Sequence, residues 1–193
     1  MKHAMVMGLL CLLSTVRGDM VLWDYPLTEE PPGWIVRSYA WTFTPEGMNC
    51  FFYGSSWNSY SDKGNADVDT DTLIVPPGTD SLELSVQQVY DAYSNIGGGV
   101  GAFIQLWTYE NGWVSLWSLS GEQIVTDPVN LTINSISPGE QLVFRFRGYG
   151  SAGGGSGCSF GLDWTLSNLV LTAHGDIQAL EPSTWAGIKT LKY

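Results

Sequence analysis

Aromatic and arginine side chains that alternate with apolar ones are the residues of this chain most suited to ligand binding. A flat aromatic face packs on the apolar side of a sugar ring, and arginine donates several hydrogen bonds to hydroxyl oxygens. Strand side chains point alternately to opposite faces, so the stretches AFIQLWTY and LVFRFRGY each present such groups on the side away from a core. A further aromatic group comes from the polar stretch SSWNSYSD. The candidate binding residues are Trp107, Tyr109, Arg145, Arg147 and Trp57.

Acidic side chains alternate in the stretch NADVDTD and could supply the hard oxygen ligands that calcium prefers. The candidate metal ligands are Asp67, Asp69 and Asp71, with Asn65 beside them. The spacing lacks the glycine and the final glutamate of an EF-hand loop. The alternative is a solvated acidic loop without a metal, and the sequence leaves both open. Calcium is the one cofactor for which the chain offers ligands.

Hydrolytic chemistry finds little support in the sequence. A Ser–His–acid triad needs a histidine held by a carboxylate, and the chain beyond residue 18 has one histidine, His174, followed by Gly175 and Asp176 in a predicted turn. The absence of HExxH and CxxC motifs disfavours a zinc site. A glycosidase needs two carboxylates facing a groove, and the few candidates on predicted strands are Glu83 and Asp163.

Strand patterns that would position these residues recur along the chain with turn signals between them, and long helical patterns are absent. The clearest pair flanks a glycine-rich loop between residues 141 and 174. Leu142, Phe144 and Phe146 fall on one side of the first strand. The second strand alternates with one slip near Ser167 or Asn168, which indicates a β-bulge. The predicted strands are 33–43, 48–53, 72–75, 81–93, 100–109, 113–118, 129–136, 141–149 and 162–171, with a polar loop over 54–71.

These strands predict an all-β fold, an antiparallel β-sandwich of jelly-roll type that spans residues 19–174. Residues 1–18 have the pattern of a secretory signal peptide, with Lys2 before an apolar run over 4–13 that is too short to span a bilayer. Residues 175–193 form a tail in which a short amphipathic helix is predicted. The expected location is therefore secreted or extracytoplasmic, in the periplasm or at the cell surface, without membrane insertion after cleavage.

Two cysteines, Cys50 and Cys158, follow the signal segment. In an exported protein such a pair indicates a disulfide bond, which would stabilise the fold by about 4–5 kcal/mol. The alternative is two buried thiols.

The charge balance excludes one class of partner. The net charge is −11, and loss of Lys2 and Arg17 with the signal would make it more negative. Nucleic-acid binding needs clustered lysine and arginine, so neither nucleic acid nor an anionic membrane surface is an expected partner.

The order of motifs resembles the jelly-roll ancillary domains of bacterial secreted proteins, which include galactose-binding-like, carbohydrate-binding and MAM-like sandwiches. The likeness covers about residues 20–173, from the pair Trp34 and Trp41 through DTLIVPPGTDSLELSV, GAFIQLWTYENGWVSLWSLSGE and GEQLVFRFRGY to LDWTLSNLVLTA. Such domains bind sugars or proteins, or serve as spacers. Many bind calcium between their first and last strands, which here implies Asp19 and Asp24 with Asp163.

Two details qualify this resemblance. In the last strand Leu166, Ser167 and Asn168 replace the usual Ile-Asp-Asn, which puts a ligand role at the acidic position in doubt. The tail is similar to the S-T-W-G-x-I-K ends of some exported bacterial proteins, with Ala186 in place of the first glycine. Its residues 182–193 would therefore serve in sorting, dock an apolar helix face on the sandwich, or stay disordered.

Three functional hypotheses follow from the sequence. The first is a non-catalytic binding module for carbohydrate, whose partner is a glycan. The second is a structural or protein-interaction domain of the cell envelope without a small ligand. The third is a glycan-active hydrolase, for which the sequence shows no convincing pair of catalytic groups.

Overall fold

Two antiparallel β-sheets form the fold in the computed structural model, which describes residues 18–177 except 56–62, 96–97, 135 and 153–156. The seven-stranded sheet contains β1 (Met20–Tyr25), β3 (Trp41–Thr44), β4 (Gly47–Ser55), β7 (Thr79–Ser94), β10 (Gln123–Val125), β11 (Val129–Asn134) and β13 (Ser159–Gly175). The six-stranded sheet contains β2 (Ile35–Val36), β5 (Lys63–Asp69), β6 (Leu73–Ile74), β8 (Gly99–Thr108), β9 (Gly112–Ser120) and β12 (Gln141–Ser151). The predicted all-β antiparallel sandwich is confirmed.

The long strand β13 is the centre of the seven-stranded sheet. It pairs with β7 on one side, and on the other side with β4 and then β1. The change of partner occurs at Asn168, which has a φ of 52°, a left-handed conformation that asparagine tolerates better than most residues. The register with β7 shifts between Ser167 and Val170. The predicted β-bulge is therefore confirmed. It lies where β13 changes its pairing from β4 to β1.

Strand β12 has the same position in the six-stranded sheet. It pairs with β8 from Leu142 to Ser151 and with β5 and β6 on its other side. Strands β8 and β9 form a hairpin, as the sequence Asn111-Gly112 predicts. Gly112 has a φ of 64°, and the Asn111 amide donates to Thr108 Oγ1 at 3.1 Å. This turn sets which side chains of β9 stand opposite those of β8.

Alternate side chains of the facing sheets fill the core. Leu142, Phe144 and Phe146 of β12 are fully buried, as predicted. Trp164 of β13 is also fully buried and stacks on Trp117 at a centroid distance of 5.9 Å. Its indole Nε1 donates to Gln88 Oε1 at 3.1 Å. Each large apolar side chain buried in this way contributes about 1.5–3 kcal/mol, and the one polar group of Trp164 keeps a partner.

Two predicted segments differ from the structure. The predicted strand over 33–43 is two strands, β2 and β3, which belong to different sheets because the chain crosses the sandwich edge between them. The predicted polar loop over 54–71 contains β5, in which Ala66 and Val68 are buried while Asp67 and Asp69 lie on the opposite face. Two small apolar residues among polar ones were too weak a pattern to predict this strand.

The predicted signal peptide lies outside the described residues apart from Gly18. The predicted C-terminal helix also lies outside them, and only residues 175–177 of the tail are described. In the part of the chain that the structure describes, no helix has the length and apolar character that a membrane crossing requires.

Candidate functional site

The outer face of the six-stranded sheet brings four of the five predicted binding residues onto one surface or to its edge. Cross-strand register places Arg145 beside Gln105, Arg147 beside Phe103, and Val143 beside Trp107. We call this surface the arginine–aromatic strip. Its members are Asn65, Phe103, Gln105, Trp107, Trp113, Arg145, Arg147 and Tyr149.

Arg145 is the best fixed side chain of the strip. Its Nε donates to Asp69 Oδ1 at 2.6 Å and its Nη2 donates to Asp69 Oδ2 at 2.9 Å. The guanidinium carbon lies 3.9 Å from the ring centroid of Trp113, a cation–π distance. With 13% of its side chain exposed, Arg145 is held between a carboxylate and an indole.

Arg147 lies two positions further along β12 and forms a bidentate ion pair of the same type. Its Nε and Nη2 donate to the two carboxylate oxygens of Asp67, both at 2.7 Å. The hydrogen bonds and charge of Asp67 raise the pKa of Arg147, and burial opposes them. A guanidinium has five N–H donors, so this partly exposed side chain keeps donors that can reach a ligand.

Asp69 joins two arginines. Its Oδ2 accepts a hydrogen bond from Arg37 Nε at 2.7 Å in addition to the bonds from Arg145. Burial by itself would raise the pKa of Asp69, but the hydrogen bonds and charges of Arg145 and Arg37 outweigh burial and lower it. Bidentate ion pairs of this kind are the strong and geometrically specific ones. The carboxylate is therefore a structural anion of the sheet.

These contacts occupy the carboxylates of the predicted calcium site. Asp67 and Asp69 are bound by arginines, and the Asp71 carboxylate accepts a hydrogen bond from the Thr72 amide at 2.8 Å. A Ca²⁺ ion at Asp67 and Asp69 would leave their arginines without partners in a partly buried site, which is unfavourable. No group of three metal-binding side chains converges within the described residues.

A shallow pocket of about 210 Å³ opens at one end of the strip and is lined by Asn65, Phe103, Gln105, Arg147 and Tyr149. It mixes aromatic rings with amide and guanidinium groups. The volume equals that of about seven waters at roughly 30 Å³ each.

One atom of this pocket lacks a partner. Gln105 Oε1 is buried and accepts no hydrogen bond from the described residues. A buried acceptor without a donor costs about 1–3 kcal/mol. Rotation about the last torsion of glutamine is soft, so the oxygen can turn toward a ligand hydroxyl that enters the pocket.

The other end of the strip is aromatic. Trp107 is half-buried and stands directly opposite Trp113 on β9. Tyr109 lies just past the end of β8 and is 87% exposed. Val143, opposite Trp107, and Tyr149, in the pocket, are six positions apart on β12, so the two ends are roughly 20 Å apart. Trp57 lies outside the described residues.

Sequence reasoning missed Trp113, Tyr149 and the aspartate partners of the arginines. Trp113 was missed because a two-residue Asn-Gly loop would pair it with Glu110, whereas the observed turn pairs Thr108 with Gly112 and so Trp107 with Trp113. The pairs Arg145–Asp69 and Arg147–Asp67 span 76 and 80 positions. No local pattern predicts such contacts.

The predicted hydrolytic residues do not form a catalytic site. Glu83 stands opposite Thr172 and Asp163 opposite Asp91, nine positions apart on β13 and so roughly 30 Å apart. A glycosidase pair needs about 5–10 Å.

His174 is part of strand β13 and does not lie in a turn as predicted. Its Nδ1 contacts Asp19 at 2.7 Å and its Nε2 contacts Glu83 at 3.2 Å. Both ring nitrogens are therefore occupied by carboxylates, and neither is available to a serine as a triad requires.

The acidic set implied by the resemblance is also dispersed. Asp24 stands opposite Val170 and Asp163 opposite Phe51, seven positions apart on β13 and so roughly 20 Å apart. Asp19 is engaged by His174. One calcium ion cannot bind all three.

The predicted Cys50–Cys158 disulfide is wrong for this structure. Cys50 stands opposite Trp164, six positions along the chain from Cys158, which places the two cysteines roughly 20 Å apart. A disulfide needs Cα atoms within about 7 Å. Both side chains are buried. Burial raises the pKa of the Cys50 thiol, and the charges of Asp163 and Asp67 add to that increase.

No protein-family model matches the chain, and no curated protein sequence matches it. Solved structures of carbohydrate-binding modules resemble it. TmCBM27, described by its specific mannan recognition, has a TM-score of 0.41 and 11% identity, with 81% of this chain and 99% of that chain covered. CBM28, specific for non-crystalline cellulose, has a TM-score of 0.38 and 10% identity, with 71% and 86% covered.

A third module, TmCBM61 in complex with β-1,4-galactotriose, has a TM-score of 0.39 and 12% identity, with 73% of this chain and 91% of that chain covered. At these scores and identities the likeness carries no information on this chain's ligand. The side chains of the arginine–aromatic strip are therefore the features of this chain that indicate a ligand.

Proposed function

We propose that this chain is a non-catalytic carbohydrate-binding module and that a glycan binds along the arginine–aromatic strip. Phe103, Trp107 and Trp113 supply ring faces for the apolar sides of sugar rings. Arg147, Asn65 and Gln105 supply donors and acceptors for hydroxyl groups. Ligand sites of this kind combine mostly apolar walls with a few placed polar groups.

The observation that carries this proposal is the unpartnered Gln105 Oε1 in the pocket. A neutral, hydroxyl-rich ligand supplies the missing donor, whereas an apolar ligand does not. An anionic ligand would meet Asp67 and Asp69, whose carboxylates already use the arginine charges. The favoured ligand class is therefore neutral polysaccharide.

Binding without catalysis agrees with the chemistry of the strip. Asp67 and Asp69 are the carboxylates that pair with the arginines of the strip, and each is held in a bidentate pair. A general acid must carry a proton at working pH, and the arginines hold the pKa of Asp69 below its usual range. We further propose that the module is exported, has jelly-roll connectivity and carries a short amphipathic helix in its tail, residues 175–193, as the sequence predicts.

The test is retention on immobilised neutral polysaccharides, followed by calorimetry with oligosaccharides of the retained glycan. Trp107→Ala should weaken binding at least tenfold, since buried aromatic anchors dominate such interfaces. Tyr53→Ala, an exposed aromatic on the other sheet, is the matched control and should bind like the parent.

Gln105→Leu separates ligand binding from folding. It removes the unpartnered acceptor, so the free energy of unfolding should hold or rise, while glycan affinity falls about tenfold. Retention on no glycan, together with unchanged tryptophan emission, would refute carbohydrate binding.

A further inference from the structure

The outer face of the seven-stranded sheet exposes apolar side chains around two aspartates. Cross-strand register forms one row from β4 to β10, in which Phe51, Asp163, Asp91 and Ile124 follow one another. The next row contains Tyr53, Gly161 and Tyr93. We call this surface the acidic–aromatic strip. Its side chains are Phe51, Tyr53, Val89, Asp91, Tyr93, Ile124 and Asp163.

The apolar side chains of this strip are highly exposed. The exposed fractions are 61% for Phe51, 62% for Tyr53 and 72% for Ile124. Single exposed apolar residues are ordinary, whereas contiguous ones mark interaction surfaces.

Gly161 allows the two tyrosines to approach each other across β13. A Cβ atom at Gly161 would lie 2.3 Å from Tyr93 Cε1, so the Tyr93 ring occupies the space above the glycine backbone. The rings of Tyr53 and Tyr93 are 6.2 Å apart with an interplanar angle of 34°. Together they form a nearly continuous aromatic platform.

The two aspartates lie directly opposite each other beside this platform. Like charges in that position repel. Asn49 Nδ2 donates to Asp163 Oδ1 at 2.6 Å, whereas Asp91 has no side-chain partner among the described residues. The arginines of the described chain, Arg37, Arg145 and Arg147, all pair with aspartates of the six-stranded sheet. Within the described residues, the strip therefore has negative charge that no arginine neutralises.

We propose that the acidic–aromatic strip docks a polypeptide segment that carries lysine or arginine side chains. A cation above the tyrosine rings gains cation–π attraction, and Asp91 and Asp163 complete its charge pairing. A second copy of the chain fits poorly, since it would oppose four carboxylates, and like charges across an interface are unfavourable. Anionic glycans are repelled for the same reason.

Calorimetric titration with a hexalysine peptide at low and moderate salt tests this assignment on the full chain. The double variant Asp91→Asn/Asp163→Asn should bind hexalysine about tenfold more weakly, with a melting temperature equal to or above that of the parent. Tyr53→Leu should weaken binding about threefold. Glu29→Gln/Glu110→Gln removes the same charge from exposed sites elsewhere and should change affinity less than twofold.

Three results would overturn the assignment. Equal weakening by both double variants would show attraction to net charge alone. Undetectable hexalysine binding to the parent would remove the basic partner. Binding of neutral oligosaccharides that Tyr53→Leu abolishes and Asp91→Asn/Asp163→Asn leaves intact would assign the strip to sugar.

Discussion

The two outer faces of this sandwich use charge in opposite ways. On the six-stranded sheet, Asp67 and Asp69 are matched to arginines in short bidentate pairs, and the charges are largely covered. On the seven-stranded sheet, Asp91 and Asp163 stand side by side without a cation among the described residues. Satisfied charges fix the first surface for a neutral ligand, while unmatched charges leave the second suited to a cationic one.

Among the variants that test this contrast, removal of the Asp69 carboxylate should cause the largest loss of stability. Asp69→Asn leaves Arg145 and Arg37 without their shared anion, and Arg145 is only 13% exposed. Loss of one partner of a fully buried pair costs about 3–5 kcal/mol. Because Arg37 reaches solvent, we expect a decrease of about 3 kcal/mol in the free energy of unfolding, measured by urea denaturation at pH 7. A loss no larger than that of Asp91→Asn would contradict the contrast between the faces.

Trp113 should contribute more to stability than Tyr53, a more exposed aromatic residue on the other sheet. Trp113→Ala removes the ring against which Arg145 packs and the partner of Trp107. Cation–π attraction of about 0.5–1 kcal/mol and the lost apolar burial together predict a decrease of about 1.5–2 kcal/mol. Tyr53→Ala serves as the control and should cost less than about 0.5 kcal/mol. Thermal unfolding of both variants measures this difference, and equal losses of stability would argue against a specific role for the indole.

Acidic and alkaline pH should weaken ion pairs on different sheets of the sandwich. The pKa of Asp69 is lowered in the folded state, so its contribution is present above its unfolded pKa of about 4 and is lost as pH falls through the folded value. The pKa of His174 is raised, chiefly by its hydrogen bond to Asp19, with Glu83 adding to it. Its contribution is complete below about pH 6.5 and is lost as pH rises through the folded value.

Unfolding curves between pH 2 and pH 9 separate these effects. His174 is partly exposed, so its alkaline loss should stay under about 1 kcal/mol. His174→Gln should abolish that loss and leave the acid limb unchanged. Asp69→Asn should flatten the acid limb alone. An alkaline loss that persists in His174→Gln would assign it to another group.

The alternation of β12 explains how much of this could be predicted. Phe144 inside and Arg145 outside follow from a period of two, which local sequence displays directly. The partners of those arginines could not be predicted, because β5 pairs with β12 across about 80 positions and its own pattern is weak. The tyrosine platform could not be predicted for the same reason. It depends on β4, β13 and β7 coming together at Gly161, a glycine that the sequence alone does not distinguish from those of turns.

The smallest expected change in stability is that of Asp91→Asn, and the test is whether stability rises or falls. Asp91→Asn removes one of two like charges that face each other across β7 and β13. Such pairs are destabilising by roughly 0.2–1 kcal/mol, so the free energy of unfolding should rise by about 0.3 kcal/mol at low salt. The gain should shrink at 0.5 M salt, because exposed charges are screened. A stability loss in Asp91→Asn would mean that the aspartate serves the fold, and the seven-stranded face would then resemble the six-stranded one in its use of charge.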